Sequence, residues 1–238
     1  MIKINKNQRI LVSDYDQTFY LNDKDIEKNK IAVKQFRNKG NIFVFATGRS
    51  YFDFKNKVNE YDLDYDYVII NHGATILDKS DNIYYNFSIQ NEIVNDIQNN
   101  LHLEKSIAGF CCSKLDSRVD FKYKDLTKIN VRYTSKEEAI NISKIINEKY
   151  KTFVNSYYIV ENSVEIISNE TSKSKAINLL LEKLNIYNEK IYTIGDGYSD
   201  IEMVRDFNGY AMTNGVKELK DIANGEFDSV SELIKKIM

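Results

Sequence analysis

The 238-residue sequence contains no proline, and its wealth of asparagine, lysine, isoleucine and tyrosine marks that absence as a bias of composition rather than a structural device. Only two cysteines occur. Cys111 and Cys112 are adjacent, so an intrachain disulfide framework is excluded and a reducing, cytoplasmic setting is expected. No apolar run approaches the ~18 residues of a membrane span. The opening Met1 to Lys6 also lacks the apolar stretch of a secretory signal, so no membrane partner is expected. There is no basic block, the net charge is −2 and the pI is near 5.8. A nucleic-acid partner held by bulk electrostatics is therefore excluded. What remains is a chain with 42% hydrophobic residues, enough for one large domain or for a core domain carrying a smaller inserted one.

The first apolar run, Ile10 to Val12, reads as a buried strand that stops at a polar cluster, Asp14-Tyr15-Asp16-Gln17-Thr18. A helix is expected from about Ile26 to Lys39, with Gly40 as its stop. Asn41 to Ala46 is continuously apolar, as a strand covered on both faces requires. It ends in Thr47-Gly48-Arg49-Ser50, and Ser50 suits the cap of a helix reaching about Val58. A third run, Tyr67 to Ile70, ends in Asn71-His72-Gly73-Ala74. Strand and helix alternating at these lengths predict a doubly wound α/β sheet with right-handed crossovers.

From about residue 81 to 170 the rhythm changes. A helix (about Gln90 to Leu101) is followed by strands at Ser106 to Ser113, Arg118 to Tyr123 and Lys128 to Tyr133. A helix from Lys136 to Tyr150 then leads to strands at Thr152 to Val160 and Val164 to Ser168. Strands in adjacent pairs predict an α+β unit with antiparallel pairing, inserted into the first domain. The earlier rhythm then returns with a helix from Lys173 to Leu184, a strand from Ile191 to Ile194 ending in Gly195-Asp196-Gly197-Tyr198-Ser199-Asp200, a short strand at Tyr210 to Met212 and a closing helix from Ser229. The expected domains are thus a core of residues 1–80 and 171–238 and an inserted unit of residues 81–170.

Ligands of a doubly wound sheet bind outside the carboxyl ends of its strands. Four polar clusters fall there: Asp14, Asp16 and Thr18; Thr47, Gly48 and Arg49; Asn71 and Gly73; Asp196 and Asp200. Four aspartates converging on one pocket would repel by roughly 4 kcal/mol per adjacent pair at ~4 Å and an effective dielectric near 20. That repulsion calls for a divalent cation, and oxygen donors without histidine or cysteine point to Mg2+. Such a site suits phosphoryl transfer, which is mostly positioning and charge neutralisation. A helix cap would explain Thr47, but Gly48 beside it favours phosphate contact. A structural ion pair would explain Arg49 as well as phosphate contact does. His72 and His102 read as structural or exposed, and Cys111 and Cys112 as core.

In order and spacing, Asp14-Tyr15-Asp16-Gln17-Thr18, Thr47-Gly48-Arg49, a lysine near 173 and Gly195-Asp196-x-x-Ser199-Asp200 resemble the haloacid dehalogenase (HAD) superfamily of phosphohydrolases. The insertion, Asn71-His72-Gly73-Ala74 and Met203 resemble its Cof-type, subclass IIB, members. The resemblance implies a Rossmann-like core with the insertion as a mobile cap. It makes Asp14 the nucleophile and Asp16 the general acid/base. Thr47, Gly48, Arg49 and Asn71 would contact phosphate, with Lys173 pairing its charge; Lys175 is a neighbouring alternative. Asp14, Asp196, Asp200 and the main-chain carbonyl of Asp16 would hold magnesium. Gln17, where the family has glycine, and Ser199, where it has asparagine, are departures. The expected activity is hydrolysis of a small phosphorylated metabolite, such as a sugar phosphate, through an aspartyl-phosphate. A phosphomutase or phosphotransferase using the same aspartate, or a non-catalytic phosphometabolite-binding module, are the alternatives. Oligomeric state is left open.

Overall fold

The computed structural model describes residues 8–159, 162–186 and 190–238. The chain runs β1 (Ile10–Ser13), α1 (Asp23–Asn38), β2 (Ile42–Ala46), α2 (Tyr51–Tyr61), β3 (Tyr67–Ile70), β4 (Thr75–Asp78) and β5 (Ile83–Asn86). It continues through α3 (Asn91–Asn100), β6 (Ser106–Ser113), β7 (Asp116–Val119), β8 (Lys128–Tyr133), α4 (Lys136–Lys149), β9 (Val154–Ile159) and β10 (Ser163–Ser168). The last part comprises α5 (Lys173–Lys183), β11 (Ile191–Gly195), α6 (Ile201–Asp206), β12 (Asn208–Met212), α7 (Lys217–Lys220), β13 (Glu226–Phe227) and α8 (Val230–Ile237). No helix among the described residues is long and apolar enough to cross a membrane.

The first sheet has the order β13-β12-β11-β1-β2-β3-β4-β5. β1 lies between β11 and β2 and is parallel to both, with Ser13 level with Ile194 and Phe45. The residues that follow these strands therefore leave the sheet side by side. Alternation along β1 divides the core: Leu11 joins Phe43, Phe45, Phe36 of α1, Phe54 of α2 and Leu233 of α8 on one face. Ile10 and Val12 join Val44, Ala46, Ile177 of α5 and Met203 of α6 on the other. This is the expected Rossmann-like α/β sheet, covered on both faces.

Local chemistry sets the helix starts. α1 begins three residues before the expected Ile26, because the Asn22 side chain accepts from the Lys24 and Asp25 amides and Asp23 and Asp25 sit favourably in the first turn. Ser50 caps α2 as expected, accepting from the Asp53 amide at 3.3 Å. Two strands escaped the periodicity. β4 runs antiparallel to β3, and β5 antiparallel to β4, so the sheet is mixed at one edge. The turn between them is an aspartate turn, in which Asp78 accepts from the Ser80 and Asn82 amides.

The second sheet is antiparallel, in the order β7-β6-β8-β10-β9. α3 and α4 pack on it, with Ile97, Ile129, Val131, Ile142, Val164 and Ile166 in a separate apolar core. Its strands lie within the stretch read as an insertion, while β5 of that stretch belongs to the first sheet. β7 occupies Asp116–Val119 rather than the expected Arg118 to Tyr123, because Lys114 takes a left-handed conformation (φ 51°) and closes a tight hairpin directly after β6. The expected end of β9, Val160, lies outside the described residues.

Candidate active site

Asp14 is the first residue beyond β1, and Asp196 the first beyond β11. Asp200 follows one short turn later, after Ser199, and its Oδ2 accepts from the Asp196 and Gly197 amides at 3.1 and 3.0 Å. Each of Asp14, Asp196 and Asp200 offers an oxygen within 4.8 Å of the other two. Lys173, the first residue of α5, sends its ammonium between them: Nζ donates to Asp14 Oδ1 and to Asp200 Oδ1, both at 2.6 Å. Its side chain is 1% exposed. Ser172 caps α5 and so fixes where that lysine departs. Lys175, by contrast, donates to the Asn169 carbonyl at the surface.

One ammonium does not balance three carboxylates, of which Asp14 and Asp200 are buried and Asp196 half-buried. Burial pushes the Asp14 carboxyl well above the ordinary carboxylate range; Lys173 opposes the shift, and Asp200, Asp196 and Asp16 add to it. Asp196 is pushed up to about 6, by burial first and Asp200 next, against the Thr18 hydroxyl that donates to its Oδ1 at 2.7 Å. Lys173 stays protonated despite its burial, because Asp14 and Asp200 face it. Three convergent carboxylates with excess negative charge and only oxygen donors fit a hard divalent cation.

The structure does not bring the Asp16 carboxylate into this cluster. Asp16 is held by a two-pronged ion pair, Arg49 Nε to Oδ2 at 2.8 Å and Nη2 to Oδ1 at 2.7 Å, with the guanidinium lying over the Tyr15 ring. Its side chain is 47% exposed. Gln17 explains the glycine usual at its position: its φ is +59°, a left-handed conformation costing a side-chain-bearing residue roughly 1–2 kcal/mol.

The Thr47–Arg49 turn follows β2. The Thr47 amide donates to the Ile69 carbonyl, and the Thr47 hydroxyl accepts from the Arg49 amide at 3.1 Å. Among the described residues no partner receives the Gly48 N–H. Asn71, His72 and Gly73 are consecutively left-handed, at φ 50°, 56° and 112°. They are held there because the Asn71 amide donates to the Arg49 carbonyl at 2.9 Å and the His72 amide to the Thr47 carbonyl at 3.0 Å. The two turns therefore form one unit. Asn71 Nδ2 faces the Thr127 hydroxyl at 3.3 Å, while its Oδ1 is buried without a partner. Gly73 is required by contact: a Cβ there would lie 2.4 Å from the Ser172 carbonyl oxygen.

Two polar residues that the motifs did not single out complete the surroundings. Lys128 of β8 and Glu165 of β10 are both buried and paired at 2.7 Å. Glu165 also meets His72 Nε2 at 2.5 Å. The signal was present in the sequence, since Glu165 interrupts the apolar run Val164 to Ile167 and buried charges occur in partnership. His72 is thus a buried, paired histidine, and His102 is exposed beside Glu104.

The chain matches the haloacid dehalogenase-like hydrolase family over residues 11–123 and 110–233. A Buchnera aphidicola protein named "Putative phosphatase" is 25% identical over 265 aligned residues, covering 96% of this chain and 97% of its own. A haloacid dehalogenase-like hydrolase from Bacteroides thetaiotaomicron shares the fold at a TM-score of 0.81 and 19% identity, over 97% of this chain and 100% of that one. The subclass IIB sugar phosphatase BT4131 does so at 0.77 and 19%, over the same shares of the two chains. Strand-end aspartates around a buried lysine, in a fold and a sequence frame shared across nearly the whole length, place the chain in the haloacid dehalogenase-like hydrolase family, as an enzyme of that kind.

Proposed function

We propose that the protein is a magnesium-dependent phosphatase of a small phosphorylated metabolite, a sugar phosphate or similar monoester, acting through an aspartyl-phosphate on Asp14. The observation that carries this reading is the Lys173 ammonium bridging Asp14 and Asp200 at 2.6 Å each, within a three-carboxylate cluster at the strand ends. The relatives named as phosphatases, and the sugar phosphatase that shares the fold, support the same class.

Asp14, Asp196 and Asp200, with the Asp16 carbonyl, would hold the cation, which supplies charge neutralisation for the transferring phosphoryl group. An Asp14 carboxylate oxygen attacks phosphorus, and the bond to the leaving oxygen breaks. Asp16, protonated, gives its proton to that oxygen. In the second half Asp16 takes a proton from water as the water oxygen attacks phosphorus, releasing inorganic phosphate and restoring the Asp14 carboxylate. Asp16 performs both transfers once its half-exposed side chain exchanges the Arg49 pair for the site. Lys173 favours the ionised form of Asp14 and holds it in place, and the Gly48 N–H and the Thr47 hydroxyl donate to phosphoryl oxygens.

The test is magnesium-dependent hydrolysis of an aryl phosphate. Asp14→Asn should abolish it while leaving the fold intact; wild-type turnover by that variant would sink the proposal. Measuring released phosphate against an isomerised sugar phosphate separates hydrolysis from the phosphomutase alternative.

A further inference from the structure

Lys128 belongs to the second sheet, yet its ammonium reaches the first. Nζ donates to the Gly48 carbonyl at 2.6 Å and to Glu165 Oε1 at 2.7 Å, with 2% of its side chain exposed. Glu165 is fully engaged: Oε1 also accepts from Asn130 Nδ2 at 2.9 Å, and Oε2 meets His72 Nε2 at 2.5 Å. The His72 ring lies directly on Gly48, where a Cβ would come within 2.4 Å of its Cε1. The chain of contacts thus starts and ends on the same turn, once through a lysine and once through a histidine.

The consequence concerns peptide orientation. The Thr47 carbonyl is held by the His72 amide and the Gly48 carbonyl by Lys128. A trans peptide places its N–H opposite its carbonyl, so fixing the Thr47 carbonyl aims the unpartnered Gly48 N–H. Fixing the Gly48 carbonyl stops the same residue from pivoting at its other end. Replacing a buried ion pair by apolar residues is often neutral or stabilising, so adhesion between two sheets does not by itself call for one. A pair directed at a main-chain carbonyl of the turn does have a use there.

We propose that Lys128 is a positioning residue for the Thr47–Arg49 turn, and that the Lys128–Glu165–His72 chain makes the turn's anion-binding conformation conditional on the second sheet being seated. This rests on the phosphatase reading only for what the turn holds. The chain acts through geometry and not through net charge, since Lys128 and Glu165 cancel.

Two variants test it. Lys128→Met alone leaves Glu165 without its cation and should lower the thermal midpoint. Lys128→Met with Glu165→Gln removes both charges, keeps net charge unchanged and should restore the midpoint. Three readouts are compared with wild type: amide exchange at Arg49 and His72, the KM for an aryl phosphate and the Ki of inorganic phosphate. The double variant should exchange faster at those two amides with the rest of both sheets unchanged. Its KM and Ki should rise together by about tenfold, the equivalent of one hydrogen bond to a charged group. A double variant with wild-type exchange at Arg49 and His72, or one whose phosphate affinity recovers along with its midpoint, overturns the proposal and leaves Lys128 a structural residue. If the wild-type protein shows no magnesium-dependent hydrolysis, the phosphatase reading fails, and the exchange measurement still decides this one.

Discussion

Removing a carboxylate from the cluster should stabilise the metal-free protein, and Asp196→Asn is the cleanest case. Burial, and Asp200 after it, push the Asp196 carboxyl up to about 6, against an ordinary value of 3.8. Its folded pKa is raised, so between about pH 4 and 6 the folded state binds more protons than the unfolded one, and stability falls as pH rises through that window. Raising the carboxyl from 3.8 to about 6 corresponds to about 3 kcal/mol at pH 7.5. Asparagine is exempt from this cost and retains a carbonyl oxygen to accept from the Thr18 hydroxyl. With chelator present, the variant should therefore melt higher than wild type at pH 7.5, by about 2–4 °C per kcal/mol for a chain of this size. At pH 4, where the folded carboxyl is mostly protonated, the advantage should shrink below about 1 kcal/mol. Magnesium at a thousandfold excess over Kd should reverse the order, since wild type then gains about 4.1 kcal/mol and the variant has lost a donor. The assay is circular-dichroism melting at both pH values, with chelator and with magnesium. A variant less stable than wild type in chelator at pH 7.5, or one whose advantage is the same at pH 4, would refute the reasoning.

Two further substitutions follow from the same geometry. Lys173→Met strands Asp14 and Asp200, and breaking a buried pair on one side should cost about 3–5 kcal/mol; magnesium should return part of that loss, and a melt insensitive to both changes would contradict the bridging role. Gly48→Ala drives a methyl group into the His72 ring, which Glu165 holds, so a loss of about 1–3 kcal/mol is expected with a raised KM for phosphomonoesters; wild-type melting and KM would show that the ring yields freely.

Much of the site was legible because strand ends are punctuated in the sequence. Asp14, Thr47, Asn71 and Asp196 each terminate an apolar run, and parallel pairing brings those ends to one edge. Motif spacing favours Lys173 over Lys175, and it is Lys173 that lies between the carboxylates. Pairings across the fold left a fainter trace. Arg49 was open between phosphate and an ion pair, and it grips Asp16. Glu165 breaks an apolar run, but its partnership with Lys128 follows from the antiparallel pairing of β10 with β8, which neither strand announces alone. β4 was missed because its signal, Thr75 to Leu77, directly follows a turn built from three left-handed residues, a conformation that propensity does not announce for asparagine and histidine. Gln17 taught the complementary lesson: a side chain where glycine is usual marks a backbone constraint rather than a lost contact.

The central place of β1 also governs how the protein is made. Its two neighbours lie at very different distances along the chain, β2 within a few dozen residues and β11 only at Ile191–Gly195. At synthesis rates of about 5–20 residues per second, the ribosome delivers β11 roughly 10–35 s after β1. During that interval one edge of β1 is an open apolar template, while the second sheet, drawn from one continuous stretch, has everything it needs to form. The expected order is therefore inverted relative to the chain: the second sheet has all its strands before β1 gains its second neighbour. Chaperone dependence during translation, and long-range pairing as the slow step of refolding, follow from that single strand order.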